Sequence, residues 1–341
     1  MKVTKLVIAE KRELASAIYD AIPGAGTHGE GTMAKGDYLI TWCSGHLLRL
    51  KMPEEYNPAY KEWKMEDLPI YFPHWEQTIG DSGRGMDKGA RVELIGELLK
   101  QCSEVIHAGD CDDEGQLIVD EVLRWHNYQG PVYRLDTSDT TEGSLRRALN
   151  HLRDNSEVLQ REGWSAYARS VSDAVVGFNV TRAMTVTNHA KLTVGRVQTP
   201  TLGLVVNRDA LIEGHHKVTY FEVFTHVKVE DKDVLAKYTP PKDDPNLDDG
   251  RILSKEYAQS IANKLQGMTL NPIEISKKTV MENPPLPFNL IKLQVYCSSH
   301  FGYDNVMEIT QSLRDKYKAI TYNRSDCRYL GDEHFREAPN T

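Results

Sequence analysis

Over residues 1–150, short apolar stretches alternate with helix-patterned ones, and no other feature of the chain constrains its fold as much. Lys5–Glu10 reads as a strand and Arg12–Ile22 as a helix closed by Pro23-Gly24. Tyr38–Cys43 and Val105–Ala108 read as further strands, followed by a helix from Gly115 to about His126. Pro131–Leu135 is a fourth strand, and Thr141–Leu152 a helix with Glu142 in its first turn. Strands joined through helices run parallel, and a parallel sheet needs both faces covered. The pattern therefore predicts an α/β domain: a mostly parallel sheet with helices on both faces. Gly24–Gly36 holds five glycines (24, 26, 29, 31 and 36) and reads as a flexible connection or a hairpin. It is not a phosphate loop, because no Gly-Lys-Ser/Thr follows.

Further along, residues 157–190 carry no strong turn signal and read as helical. Tyr220–Val229 alternates as a strand with Phe221, Val223, Thr225, Val227 and Val229 on one side. Pro240–Gly250 is a polar loop, Ser254–Leu265 a helix ended by Gly267, and Ile273–Val280 a strand. Glu282–Pro287 reads as a linker, with helices over about 288–300 and 304–317. The longest apolar runs, such as Leu202–Val206, are far too short to cross a bilayer. The first strand meets Glu10 before any stretch of signal-peptide length, so a cytoplasmic location is expected. Five cysteines without a CxxC pair suit reduced thiols rather than a zinc site or a disulfide framework. A net charge of −8 by itself argues against nucleic-acid binding. Locally the sign reverses: Ala174–Arg208 contains no acid but has Arg182, Lys191, Arg196 and Arg208, which permits a phosphate-binding face.

The chemistry concentrates in His107-Ala108-Gly109-Asp110-Cys111-Asp112-Asp113-Glu114-Gly115-Gln116. Four carboxylates crowd the turn between a strand and a helix, at the sheet edge where open α/β folds place their sites. Alternate residues of an extended turn point the same way, so Asp110, Asp112 and Glu114 are expected to converge while Asp113 points elsewhere. Bare carboxylates at that spacing repel one another. A hard cation such as Mg²⁺ relieves this, binding one or two of them together with phosphate oxygens. The ordinary alternative is a set of helix-capping acids in a solvated turn. Glu10 ends the first strand and, in a parallel sheet, reaches the same edge as a general acid/base or a further ligand.

A strand-end Glu followed by DxDxEG resembles the Toprim domain. Other segments narrow the resemblance to the type IA DNA topoisomerases, and within them to the bacterial topoisomerase III branch. These are Ile8-Ala9-Glu10-Lys11, Thr41–Leu48 (TWCSGHLL), Asp173–Thr185 (DAVVGFNVTRAMT), Val194–Leu202 (VGRVQTPTL) and Ile320–Asp326 (ITYNRSD). They run in the family's order over essentially the whole chain. VGRVQTPTL and ITYxRSD are specific motifs; the carboxylates alone are not.

The resemblance implies a Toprim domain at 1–153, a helical DNA-binding part at 154–216, a β-rich hinge part at 217–284 and the start of a tyrosine-bearing domain at 285–341. It implies Mg²⁺-dependent cleavage of one DNA strand through a 5′-phosphotyrosine, with strand passage and ATP-independent religation. Tyr322 takes the nucleophile's role, Arg324 and Lys11 contact the scissile phosphate, and Glu10 serves the leaving oxygen or the metal. Asp110 and Asp112 hold Mg²⁺, with Glu114 a weaker ligand. Single-stranded DNA falls to Trp63, Arg182, Thr193, Val194, Gly195, Arg196, Val197 and Gln198, while His46 is assigned a structural role. A helicase, or the remaining C-terminal part of such an enzyme, is an implied partner.

Three positions depart from the family pattern. Asp113 replaces an arginine, Ala174 an aromatic residue and Asn323 a proline. The chain also stops soon after Tyr322, so it is expected not to pass a strand efficiently by itself. The alternative function is a weak or catalytically silent single-stranded DNA-binding fragment. Other Toprim enzymes, nucleases and primases, lack the two specific motifs.

Overall fold

A computed structural model describes residues 4–83, 87–137, 139–271, 274, 276–322, 324 and 327–330. The N-terminal elements are β1 (Lys5–Ala9), α1 (Arg12–Ala21), β2 (Gly26–Gly29), β3 (Thr32–Lys35), β4 (Tyr38–Trp42), β5 (Leu48–Leu50), α2 (Pro53–Tyr56) and β6 (Gln77–Ile79). They are followed by α3 (Lys88–Leu99), β7 (Glu104–Ala108), α4 (Asp113–Trp125), β8 (Val132–Arg134), α5 (Glu142–Asn150), β9 (Arg153–Asp154) and the long α6 (Glu157–Asn188). Then come α7 (Gln198–Glu213), β10 (Phe224–Val229), β11 (Lys232–Lys237), β12 (Leu247–Asp248), β13 (Arg251–Ile252), α8 (Lys255–Leu265), α9 (Leu290–Phe301) and α10 (Val306–Asp315). The chain divides into two compact units, residues 1–199 with 285–341, and residues 200–284.

The first unit is built on a seven-stranded sheet in the order β2-β3-β4-β1-β7-β8-β9. β4, β1, β7 and β8 are mutually parallel, which is the expected α/β core. The edges are antiparallel: β2 and β3 form a hairpin continuing onto β4, and β9 pairs back onto β8. The glycine-rich stretch is thus a hairpin, and Gly31 at φ +72° supplies the left-handed turn residue. β1 shows why the centre is buried. Val7 and Ala9 join one core with α1 and α5, while Leu6 and Ile8 join the other with α3 and α4. Successive side chains point to opposite faces, so a strand with a helical layer on each face must be apolar throughout. In α1, Leu14, Ala17, Ile18 and Ala21 recur at helical spacing and face that first core.

The second unit holds the β10–β11 hairpin, the short β12–β13 pair and α8, around a small core of Val223, Ile252, Ala258 and Ile261. Ser254 caps α8 by accepting a hydrogen bond from the Tyr257 N–H at 3.1 Å.

Three readings change. The strand expected over Tyr220–Val229 begins only at Phe224; Phe221 makes a single bridge to Ile252, and Val223 turns into the core. The strand expected over Ile273–Val280 does not form at residues 274 and 276–280, while Ile273 and Ile275 lie outside the described residues. Alternation makes a strand only where another strand pairs with it, and none does among the described residues. Helix α3 was not anticipated, although Val92, Ile95, Leu98 and Leu99 bury one face. No helix among the described residues is long and apolar enough to cross a membrane.

Candidate active site at the carboxyl edge of the sheet

Parallel pairing brings Ala9 beside Trp42 on one flank and beside Ala108 on the other. The residues following those three strands therefore meet at one edge. The Asp110 N–H donates to Glu10 Oε2 at 3.1 Å, tying the end of β1 to the acidic turn. On the opposite flank, Ser44 and Gly45 donate their N–H groups to the Glu10 carbonyl at 2.7 and 3.2 Å. Both have positive φ, so the turn after β4 wraps back over Glu10.

The acidic turn doubles back very tightly. A Cβ on Gly109 would stand 2.0 Å from the Gly115 carbonyl oxygen, and one on Gly115 would stand 2.4 Å from the Asp110 carbonyl oxygen. Two bare α-carbons let the strand end and the helix start touch. Arg134, at the end of β8, fixes the turn from below. Its guanidinium donates to the carbonyls of Gly109 at 2.9 Å and Asp110 at 2.7 Å, and to His107 Nδ1 at 2.9 Å. With Nδ1 accepting, the His107 proton sits on Nε2 and donates to the Gln116 carbonyl at 3.1 Å. Burial, reinforced by the Arg134 charge, holds the His107 pKa well below its ordinary value, so this imidazole stays neutral.

The carboxylates do not converge as the alternation rule suggests. Asp112 is the N-cap of α4, with its Oδ1 accepting from the Gly115 N–H at 2.7 Å. From Asp113 onward the backbone is helical and alternate residues no longer share a direction. Asp113 and Glu114 instead pair with the same cation, Arg169 of α6, at 3.6 and 3.1 Å. Glu10 and Asp110 do share one position: Lys11 Nζ lies 2.9 Å from Glu10 Oε1 and 3.0 Å from Asp110 Oδ2. Arg314 of α10 completes the neutralisation, with Nη2 2.9 Å from Asp110 Oδ1. Its charge and hydrogen bond, together with Lys11, outweigh burial and hold the Asp110 pKa below the usual carboxylate value.

Tyr322 reaches this cluster across 210 residues of chain, its hydroxyl donating to Asp112 Oδ2. The ring is buried, and the Arg314 guanidinium carbon lies 4.6 Å from its centroid. Burial, and then the Asp112 hydrogen bond, push this phenol far above its ordinary pKa. All these groups belong to the first unit.

His46 bridges two carboxylates. Its two ring nitrogens face Glu121 Oε1 at 3.1 Å and Glu114 Oε2 at 3.3 Å, so only the protonated ring can donate to both. Burial lowers its pKa, but the two carboxylates outweigh that and raise it above 6.5. The stabilisation is fully present below about 6.5 and is lost as pH rises through the raised value. NMR titration of the His46 ring should show that raised midpoint, and Glu121→Gln should move it down; an unmoved midpoint would contradict this pairing.

The candidate DNA residues are placed as follows. Arg182 is 4% exposed and spends its donors on the Tyr60 carbonyl at 2.6 Å and Glu54 at 3.2 Å. Its guanidinium carbon lies 5.2 Å from the centre of the Trp63 ring. In this conformation it braces the loop carrying Trp63 and offers no face to a phosphate. Trp63 itself is 37% exposed. Val194 is held by Thr181 through its N–H at 2.9 Å, and the Gly195 N–H donates to Thr199 at 3.1 Å. Arg196 pairs with Asp173 at 2.7 Å, while Thr193, Val197 and Gln198 are exposed. Arg324 is exposed as well. Asn323 lies outside the described residues. Ala174 is half-buried on α6.

Arg134, Arg169 and Arg314 went unnoticed in the sequence. For Arg134 a signal existed, since a charged residue ending an apolar strand follows the same logic as Glu10. Arg169 lies four residues before Asp173, one helical turn away. Arg314 had only its nearness to the ITYNRSD segment.

Residues 5–138 match the Toprim domain family, and residues 158–341, more than half of the chain, match the DNA topoisomerase family. The chain belongs to the type IA DNA topoisomerases. It is 36% identical to the DNA topoisomerase 3 of Vibrio cholerae over 99% of this chain and 54% of that one. It is 37% identical to that of Salmonella typhimurium over 97% of this chain and 52% of the relative. The chain thus spans about half the length of the curated relatives it matches. The solved full-length topoisomerase I of Thermotoga maritima shares the fold, with a TM-score of 0.61 at 21% identity over 98% of this chain and 52% of that one. Toprim domains are generally metal-binding. Among the described residues, no three His, Cys, Asp or Glu side chains gather as a cage. The Glu10–Asp110 pair nonetheless suits a hard cation that takes one or two carboxylates and completes its shell with water and phosphate. Lys11 Nζ already places a positive charge between the two.

Proposed function

We propose that this topoisomerase chain carries the chemistry for cutting and resealing a single DNA strand through Tyr322. The reading is supported above all by one contact: the Tyr322 hydroxyl on Asp112, the residue that caps the helix after the acidic turn. The Tyr322 oxygen attacks a backbone phosphorus, forming a phosphotyrosine as the bond to the 3′-oxygen breaks. The phenol proton has a carboxylate in place, Asp112 Oδ2. Glu10, held against the turn by the Asp110 N–H, is the carboxylate positioned to pass a proton from water to the departing 3′-oxygen. Lys11 lies beside both carboxylates and contributes positive charge toward the phosphate, and Arg324 two residues after the nucleophile adds a planar fork of donors. Mg²⁺, held by Glu10 and Asp110 with Asp112 next in reach, would neutralise charge on the phosphate oxygens. Glu114 is engaged by His46 and Arg169 and is a poorer ligand in this arrangement.

The bond energy stays in the phosphotyrosine ester, so religation is the reverse attack by the 3′-hydroxyl and needs no ATP. Trp63 and the Thr193–Gln198 segment are the candidate contacts for the unpaired strand, Trp63 through base stacking.

Incubation with single-stranded oligonucleotide and Mg²⁺, followed by denaturation, tests this. A 3′-end label should travel with the protein, a 5′-end label should not, and a chelator should abolish the adduct. No adduct with either label rejects the proposal.

A further inference from the structure

Arg314 is used by none of the steps above, yet it is among the most enclosed charges in the molecule, with its side chain 5% exposed. It grips Asp110 with both arms, Nη2 to Oδ1 at 2.9 Å and Nη1 to Oδ2 at 3.4 Å. Lys11 takes the same Oδ2 at 3.0 Å. Arg314 Nε is buried and has no hydrogen-bond partner among the described residues. A guanidinium placed only to brace the fold satisfies its buried donors, because leaving one bare is costly. Here the Asp110 side of the fork is filled and the remaining donor is not.

Charge shows what this position does. Glu10 and Asp110 carry two negative charges, and Lys11 and Arg314 two positive ones within about 3 Å of them. The two carboxylates of the cation site are thus already matched by cations, while Asp315 lies on the outer side of the fork, its Oδ1 3.4 Å from Arg314 Nη1. Every Asp110 oxygen is also already engaged.

We propose that Arg314 is an internal counter-ion that occupies the Asp110 end of the cation site and must be displaced before a divalent cation binds there. The inference rests on the cation-site reading above. Moved off Asp110, the guanidinium remains on α10 beside the Tyr322 ring, where a phosphate bound for the hydroxyl offers it a replacement anion. Cation and DNA then favour one another's binding through this side chain.

The test is binding of Mn²⁺ alone to the full chain, read from the EPR signal of the free ion, with circular dichroism confirming the fold of each variant. Arg314→Gln removes the competing fork and one positive charge, and should tighten Mn²⁺ binding roughly 10–100-fold, the range expected for losing a charge-assisted contact. Arg314→Lys keeps the charge but cannot span both oxygens, so it should fall between the two and carries the test if the glutamine variant does not fold. Asp110→Asn should weaken binding in either background. A brace has the opposite sign: its loss would loosen Asp110 and weaken the cation. Wild-type binding that depends on Asp110 but is unchanged or weakened by Arg314→Gln overturns this inference alone. Absence of Mn²⁺ binding in both wild type and Arg314→Gln overturns the cation-site reading along with it.

Discussion

Tyr322→Phe is expected to eliminate the protein–DNA adduct completely while the protein still folds and still binds single-stranded DNA. The substitution deletes one oxygen. The ring stays buried beneath Arg314, and the loss on the folding side is a single hydrogen bond to the Asp112 carboxylate, about 1.5–3 kcal/mol. On the chemical side nothing remains to attack phosphorus. The chain has 16 tyrosines, so the experiment also asks whether another can substitute. Denaturing gels with the 3′-labelled oligonucleotide give the answer, and an adduct surviving in the phenylalanine variant would place the nucleophile elsewhere. Fluorescence anisotropy with the same oligonucleotide, without Mg²⁺, separates lost chemistry from lost binding.

The second large effect lies beneath the turn rather than on it. Arg134→Met leaves the carbonyls of Gly109 and Asp110 and the His107 Nδ1 without their shared donor, in a region where Arg134 itself is 3% exposed. The expected destabilisation is about 3–5 kcal/mol, because methionine fills the volume but supplies no proton. Against a typical total of about 5–15 kcal/mol, that is a large share. Urea unfolding monitored by circular dichroism checks it. A change under about 1 kcal/mol would mean that the turn keeps its shape without the arginine.

Much of the first unit was legible because its physics is local. Strands with two buried faces are apolar throughout, helices with one buried face show their period, and a parallel sheet fixes which residues end up together. That reasoning placed Glu10 beside Asp110 correctly. It failed where the strand gave way to the helix that Asp112 caps, which turned Asp113 and Glu114 toward Arg169. Contacts between distant segments stayed invisible. Arg314 meets Asp110 across 204 residues, and nothing in its own neighbourhood announces that meeting. Tyr322 was picked out only through its resemblance to a known motif, since its burial and its bond to Asp112 depend on where the whole of α10 comes to rest. The expected strand after residue 272 had an alternating pattern but no partner among the described residues. Pattern is necessary for a strand, and pairing makes it one.

The tight meeting of Gly109 and Gly115 sets an unusual order of tolerance. At Asp113 a negative charge can be supplied by more than one side chain, and a swap between aspartate and glutamate shifts an oxygen by about one bond length. Hydrogen at those two α-carbons admits no such exchange, because even a methyl group would occupy space that a carbonyl already fills. The emptiest positions in this strand-to-helix turn are therefore its least negotiable, and among the charges around them Asp113, which faces Arg169 and touches neither Tyr322 nor Glu10, is the one freer to vary.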